Sequence, residues 1–322
     1  ATDIDLGKAA ALASLSVTAP LAATVDIAAT SVTGAFEIAT GTPTLVYANS
    51  ITAAGATTVN AVAQFHATSL VDTTGASSIA AEIVNLPVWA GTTTATMAMA
   101  GAHTAGLNLP AATLAGGNAL TAAAAKIVTV LSTTAALLTA EAAENVTILG
   151  LEDGLDFVTD AGFAALKTLT VTGVPNAAPS DATQENTVSV TSAAAALTDL
   201  TVGGTVHDVI ANAVPLLKNI TLTGAIGDIT ATALPKLESL AIGTSHIEGA
   251  SASTLKVNGN VILTSIKPTS MSEVKEIEIQ NNTKLTSIDF SSLTVVPSGT
   301  VVVSSTFDNN ALSATYVNAV AA

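Results

Sequence analysis

Along the second half of the chain, apolar residues fall at alternate positions in short runs, stop at a glycine, and resume. Alternation of this kind marks strands with one face in a core, because successive strand side chains point to opposite faces. Laying 199–218 over 219–238 places Leu200, Val202, Gly204, Val206, Val209, Val214, Pro215 and Leu217 on Ile220, Leu222, Gly224, Ile226, Ile229, Leu234, Pro235 and Leu237. Eight coincidences at one offset of about 20 residues point to a repeat. The next unit keeps Leu240, Ile242 and Leu255 in a slightly shorter frame. The same signature stands upstream at Val146/Ile148/Gly150 and Leu169/Val171/Gly173, and downstream at Val274, Ile277, Ile279 and at Leu285, Ile288, Phe290. Each unit reads as one strand, a glycine-containing turn, and a return segment ending in Leu. A single unit cannot bury its own apolar face, so neighbouring units must stack.

The segments Leu237-Glu238-Ser239-Leu240-Ala241-Ile242 and Asn281 to Leu293 (Asn-Asn-Thr-Lys-Leu-Thr-Ser-Ile-Asp-Phe-Ser-Ser-Leu) resemble the leucine-rich-repeat-like units of bacterial surface proteins and of receptor L domains. The resemblance covers 145–293. It implies a right-handed solenoid with a parallel sheet along one side, used for binding, adhesion or scaffolding rather than catalysis. The chain departs from that pattern in its richness in Ala and Thr and in having no regular Asn ladder.

The expected fold class is therefore all-β: a right-handed β-solenoid with coils of about 20 residues and few or short helices. Residues 145–293 form its repeats. Residues 1–144 read as an irregular Ala/Thr-rich β region continuing the solenoid, with a separate β-sandwich as the alternative. Strand candidates there are 14–17, 25–27, 35–38, 44–47 and 63–65, without a fixed period. The Ala-rich runs 120–126 and 135–144 suit either short helices, by propensity, or tight solenoid corners. Residues 294–322 read as a C-terminal strand segment and a candidate assembly tail, ending in the uncharged stretch Ala314 to Ala322.

Composition narrows the function. Apolar residues make up 49% of the 322 residues and charged residues 10%, against about 25% charged in an average soluble domain. A disordered acidic chain is excluded, because such chains lack the Val, Ile and Leu found here. The net charge is −15, and all nine basic residues are Lys. Nucleic acid is excluded as a partner, because phosphate backbones are held by clusters of Lys and Arg that release counterions. With no Cys, there is neither a disulfide framework nor a thiolate metal site. The uncharged stretch 83–125 is full of Thr, Gly, Pro and Asn, so it is not the continuous apolar run a membrane span needs. The first residue is Ala1, with no Met and no leader pattern. That suggests a mature secreted product, located extracellularly at a cell surface.

Candidate chemistry is thin. His66, His103, His207 and His246 lack metal-ligand spacing, and no Gly-x-Ser-x-Gly elbow occurs. The densest acidic group is Glu152, Asp153, Asp156 and Asp160 around a Gly turn. These carboxylates could hold calcium, although their spacing is not that of a twelve-residue calcium loop and a solvated acidic turn explains them too. Asp208 and Asp228 lie one repeat apart and would stack, either around a cation or pointing into water. Between the apolar strand positions runs a column of Thr147, Thr170, Thr201 and Thr221, followed by Ala241. It predicts a flat, uncharged outward face. Thr simply suits exposed strands, yet a mean hydropathy of +0.59 also suits a face packed on a neighbouring copy. Ordered Thr could alternatively bind ice. Three Asn-x-Thr patterns, at Asn145, Asn219 and Asn281, are expected by chance in so Thr-rich a chain, and Trp89 could serve as a sugar platform or as packing.

The functional expectation is a non-catalytic structural protein that self-assembles into a surface layer or filament, with copies of itself as partner, possible cell-surface glycan contact, and no required cofactor. The alternative is a monomeric surface adhesin binding glycan or ice. A polysaccharide lyase or hydrolase on a β-helix is disfavoured by the absence of Arg and of a clustered acid and base.

Overall fold

A computed structural model describes the backbone of strands from Asp3 to Ser304. It also describes the side chains of Phe65 and of residues 125–130, 138–151, 156–174, 186–243, 254–271 and 274–293. Among the described residues, the chain is an all-β parallel solenoid of about six turns with almost no helix, as the alternating pattern requires. It divides into two compact units, 1–149 and 150–322.

In the second unit the repeat becomes a coil. The strands Asp199–Asn212 and Asn219–Thr232 are each 14 residues long and pair in parallel, Leu200 on Ile220 and Val209 on Ile229. Each strand bends midway. Its two legs bury Leu200, Val202, Val206, Val209 and Ala211 over Ile220, Leu222, Ile226, Ile229 and Ala231. The return segment adds Val214 and Leu217 over Leu234 and Leu237. Each Val, Leu or Ile so enclosed contributes about 1.5–3 kcal/mol, which no single coil could capture alone.

The repeated glycine sits at the bend. Gly204 and Gly224 have φ of 72° and 94°, a region that L side chains rarely enter. A Cβ on Gly204 would run into the Gly173 carbonyl oxygen, and one on Gly224 into the Gly204 carbonyl oxygen. Stacked backbones therefore come too close for any side chain. The opposite corner also turns through positive φ, at Ala213 (56°), Ala233 (53°), Gly259 (70°) and Asn281 (57°).

Return segments have no ladder, so their amides must find partners elsewhere. The Thr198 carbonyl accepts from both Lys218 N–H and Asn219 N–H (2.9 and 3.1 Å). The Lys167, Lys218 and Thr264 carbonyls repeat this double acceptance from the next coil. Further on, the strand Thr254–Asn258 pairs with Glu276–Gln280, which pairs with Val301–Ser304. The one described helical turn is the 3-10 segment Ala161–Phe163, where Phe163 meets Phe157 edge-on at 5.4 Å.

In the second unit partners stand from 20 residues apart (Asp199 and Asn219) to 31 (Thr168 and Asp199), and the first unit, parallel too, is also uneven. There partners stand from 18 residues apart (Ile127 and Asn145) to 23 (Val84 and Leu107). Thr24–Val32 and Gly106–Leu114 each contain a register shift. A second ladder joins Leu15–Thr18, Phe36–Ala39, Thr57–Asn60 and Ser77–Ala80. In the Ala-rich runs, Leu138–Thr139 is strand and residues 141–142 are turn. Helix propensity yields there to parallel pairing.

Candidate assembly face and acidic turn

The Thr column is in register. Thr170 stands beside Thr201, Thr201 beside Thr221, and Thr221 beside Ala241. Thr147 pairs with Thr129 in the first unit. All five Thr are half-buried between buried apolar neighbours, so strand alternation turns their hydroxyls outward. After Ala241 the column continues to Lys267, whose Nζ lies 3.2 Å from the Asp289 carboxylate.

Beside this column runs a second, Thr168, Asp199, Asn219 and Ser239. Here side chains bond from coil to coil. Thr198 donates its hydroxyl to Asp199 (2.6 Å), and Asn219 Nδ2 donates to the other Asp199 oxygen (2.7 Å). The Thr198 hydroxyl foremost, then the Asn219 amide, holds the Asp199 carboxyl below its ordinary range, with Lys218 assisting and burial opposing.

The second leg carries its own columns. Asp156 stands beside Thr187, Thr187 beside Asp208, and Asp208 beside Asp228. The sequence left Asp208 and Asp228 a choice between a cation and water. Asp228 has a third solution, because its Oδ1 accepts from the Thr254 backbone N–H (2.7 Å). Farther along, Lys256 Nζ meets Glu278 at 2.9 Å, and Asn258 Nδ2 donates to Glu278 at 2.8 Å.

Of the acidic turn, Glu152 and Asp153 lie outside the described residues, while Asp156 and Asp160 are exposed. Asp160 Oδ1 accepts from Gly162 N–H (2.9 Å) and caps the Ala161–Phe163 turn, a common role for Asp at a helical start. Among the described residues, no three acidic or His side chains converge to hold a metal. His207 donates its backbone N–H to Asn186 Oδ1 (2.9 Å). His103, His246, the Thr92 to Thr96 run and the 305–322 tail lie outside the described residues.

Sequence reasoning missed a set of buried amides. Asn186, Asn260 and Asn282 are wholly enclosed. Asn260 Nδ2 donates to Ala231 O (2.9 Å), and its Oδ1 accepts from Leu234 N–H (3.0 Å). Asn282 Oδ1 accepts from Asn260 N–H (2.9 Å), and its Nδ2 donates to Val257 O (2.7 Å). Asn186 Nδ2 bridges Leu151 O and Thr205 O, 3.1 Å each. A short Asn ladder thus exists. Its signal was the break in the apolar column at 260 and 282, where Val214 and Leu234 stand in the earlier coils.

Set against family models, curated proteins and solved structures, the chain finds no match in any of the three.

Proposed function

We propose that this protein is a non-catalytic extracellular building block that self-assembles into a surface layer or filament through solenoid faces and ends. Leucine-rich-repeat-like kinship and a place on a bacterial surface belong to the same reading. The observation that carries it is the stacking of coil 199–218 on coil 219–238, in register and almost residue for residue. A contact generated by repeated translation is not self-limiting, and a further coil from another molecule can extend it. Polar columns that already bond between coils, such as Asp199 with Asn219 and Asn212 with Thr232, supply groups of the kind such a contact uses.

The test is light scattering and negative-stain electron microscopy of the purified chain, with and without a calcium chelator. Ordered filaments or sheets support the reading, and their loss in chelator would give the 152–160 carboxylates a calcium role. A particle of 31.6 kDa in both buffers sinks it. The in-register Thr170, Thr201 and Thr221 favour a second reading, a monomeric adhesin that presents hydroxyls to glycan or ice. That version predicts ligand retention by a stable monomer, abolished by Thr201→Lys with Thr221→Lys.

A further inference from the structure

We infer that Asn258–Gly259 is a modification site gated by the fold. Closed coils keep it intact, and opening of the strand pair Thr254–Asn258 and Glu276–Gln280 lets water convert Asn258 to isoaspartate, after which the pair no longer closes as before. The inference stands on the fold and does not depend on the building-block reading.

Asn258-Gly259 is the single Asn-Gly step in the sequence. Such a step is chemically labile, because glycine has no Cβ to keep its backbone nitrogen off the preceding side chain. The deprotonated Gly259 nitrogen attacks Asn258 Cγ and closes a five-membered succinimide. The bond from Cγ to Nδ2 breaks, and the amide nitrogen leaves as ammonia with the proton that Gly259 gave up. Water then opens the ring at either carbonyl, giving isoaspartate or aspartate. One water enters and one ammonia leaves, and no oxidant or other reactant is needed.

In the folded chain each group in that reaction is held. The Asn258 carbonyl accepts from Ala233 N–H (2.8 Å), and Gly259 N–H donates to the Gln280 carbonyl (2.9 Å). The peptide plane that must turn is thus clamped by the coil before it and the coil after it. Asn258 Nδ2, the leaving group, donates to Glu278 Oε1 (2.8 Å), and Asn258 Oδ1 accepts from Gln280 N–H (2.9 Å). Three of these four partners belong to Glu276–Gln280, which pairs with Thr254–Asn258 residue for residue. Parting that one ladder therefore frees nucleophile, electrophile and leaving group together.

Conversion also bars the return. Isoaspartate routes the main chain through Cβ and Cγ, which adds one carbon to the backbone just before Gly259. The next residue is Asn260, wholly enclosed and bonded to Ala231 O and Leu234 N–H, and the added length shifts it off these partners. The amide donor facing Glu278 gives way to a carboxylate, and like charges so placed repel.

The test follows Asn258 in the full chain by peptide mass mapping, with fragmentation that tells isoaspartate from aspartate, at mildly alkaline pH in native buffer and in urea. In urea Asn258 is expected to convert ahead of every other Asn. In native buffer it should convert more than about tenfold more slowly, the factor that each ~1.4 kcal/mol of opening cost supplies. Glu278→Ala, which releases Nδ2, should raise the native rate several-fold relative to its own rate in urea. If circular dichroism shows that variant unfolded, Glu278→Gln replaces it. Chain converted at Asn258 alone and returned to native buffer should unfold at lower urea than chain passed only briefly through the same urea. Equal native and urea rates in wild type, or a rate ratio unchanged in the folded variant, overturn the gate. A converted chain that regains the wild-type midpoint overturns the loss of closure, and another Asn converting first in urea overturns the choice of site.

Discussion

Asn260→Ala tests what holds the last coils together. The change removes an acceptor from Leu234 N–H and a donor from Ala231 O, both at good distance in a site closed to water. It leaves the Asn260 backbone N–H with Asn282 Oδ1. A buried polar group stripped of its partner costs about 1–3 kcal/mol. Two such groups give about 2–6 kcal/mol, against a total stability of about 5–15 kcal/mol for a typical domain. With a urea dependence of about 2 kcal/mol per molar, a loss of 3 kcal/mol moves the midpoint down by about 1.5 M. The assay is urea unfolding followed by far-ultraviolet circular dichroism. Asn282→Ala removes the next rung, and since Asn282 holds Asn260 directly, the two changes should be non-additive by at least about 0.5 kcal/mol. A loss below about 1 kcal/mol for Asn260→Ala, or strict additivity of the pair, refutes the ladder as a stabilising element.

Gly204→Ala should cost about 3 kcal/mol or more, combining a positive φ with the Gly173 carbonyl. Gly243→Ala, where an added Cβ finds nothing nearer than 3.5 Å, should stay within about 0.5 kcal/mol; thermal melts compare the two. Ala213→Gly should stabilise by about 0.5–1 kcal/mol, because relief of the left-handed conformation exceeds the added chain entropy. The Asp199 carboxyl titrates below its ordinary value of 3.8, so it stabilises the fold at higher pH. That contribution fades as pH falls through 3.8 and on through the lowered folded value. Asp199→Asn should flatten this acid limb in melts taken between pH 5 and pH 2 (roughly that window, by the same linkage); an unchanged limb would contradict the hydrogen-bond account.

How far the sequence spoke depended on how evenly the coils were cut. Where the offset is regular, as between 199–218 and 219–238, all the coincident Val, Leu and Ile are buried and the coincident glycines form the bend. In 1–149 the offset wanders and a second ladder intervenes, so no single frame aligns the strands. The strand candidates at 14–17, 25–27, 35–38, 44–47 and 63–65 nonetheless fall on or within a residue of observed strands. The Thr column was legible because strand alternation fixes which residues share a face. Asp160 was ambiguous, because a helix-capping Asp and a cation-binding Asp look alike until the Gly162 N–H is placed. Asn260 and Asn282 were hidden because they occupy positions that are apolar elsewhere, and only the backbone groups of neighbouring coils explain them.

Because one coil lies on the next in parallel register, length in this protein is a countable quantity. Each parallel layer advances by about 4.8 Å. Duplicating 219–238 would add one such step while presenting every side chain to a neighbour it already fits. Genes encoding such a chain can thus lengthen or shorten it in whole layers, like courses of brick, without redesigning its interior.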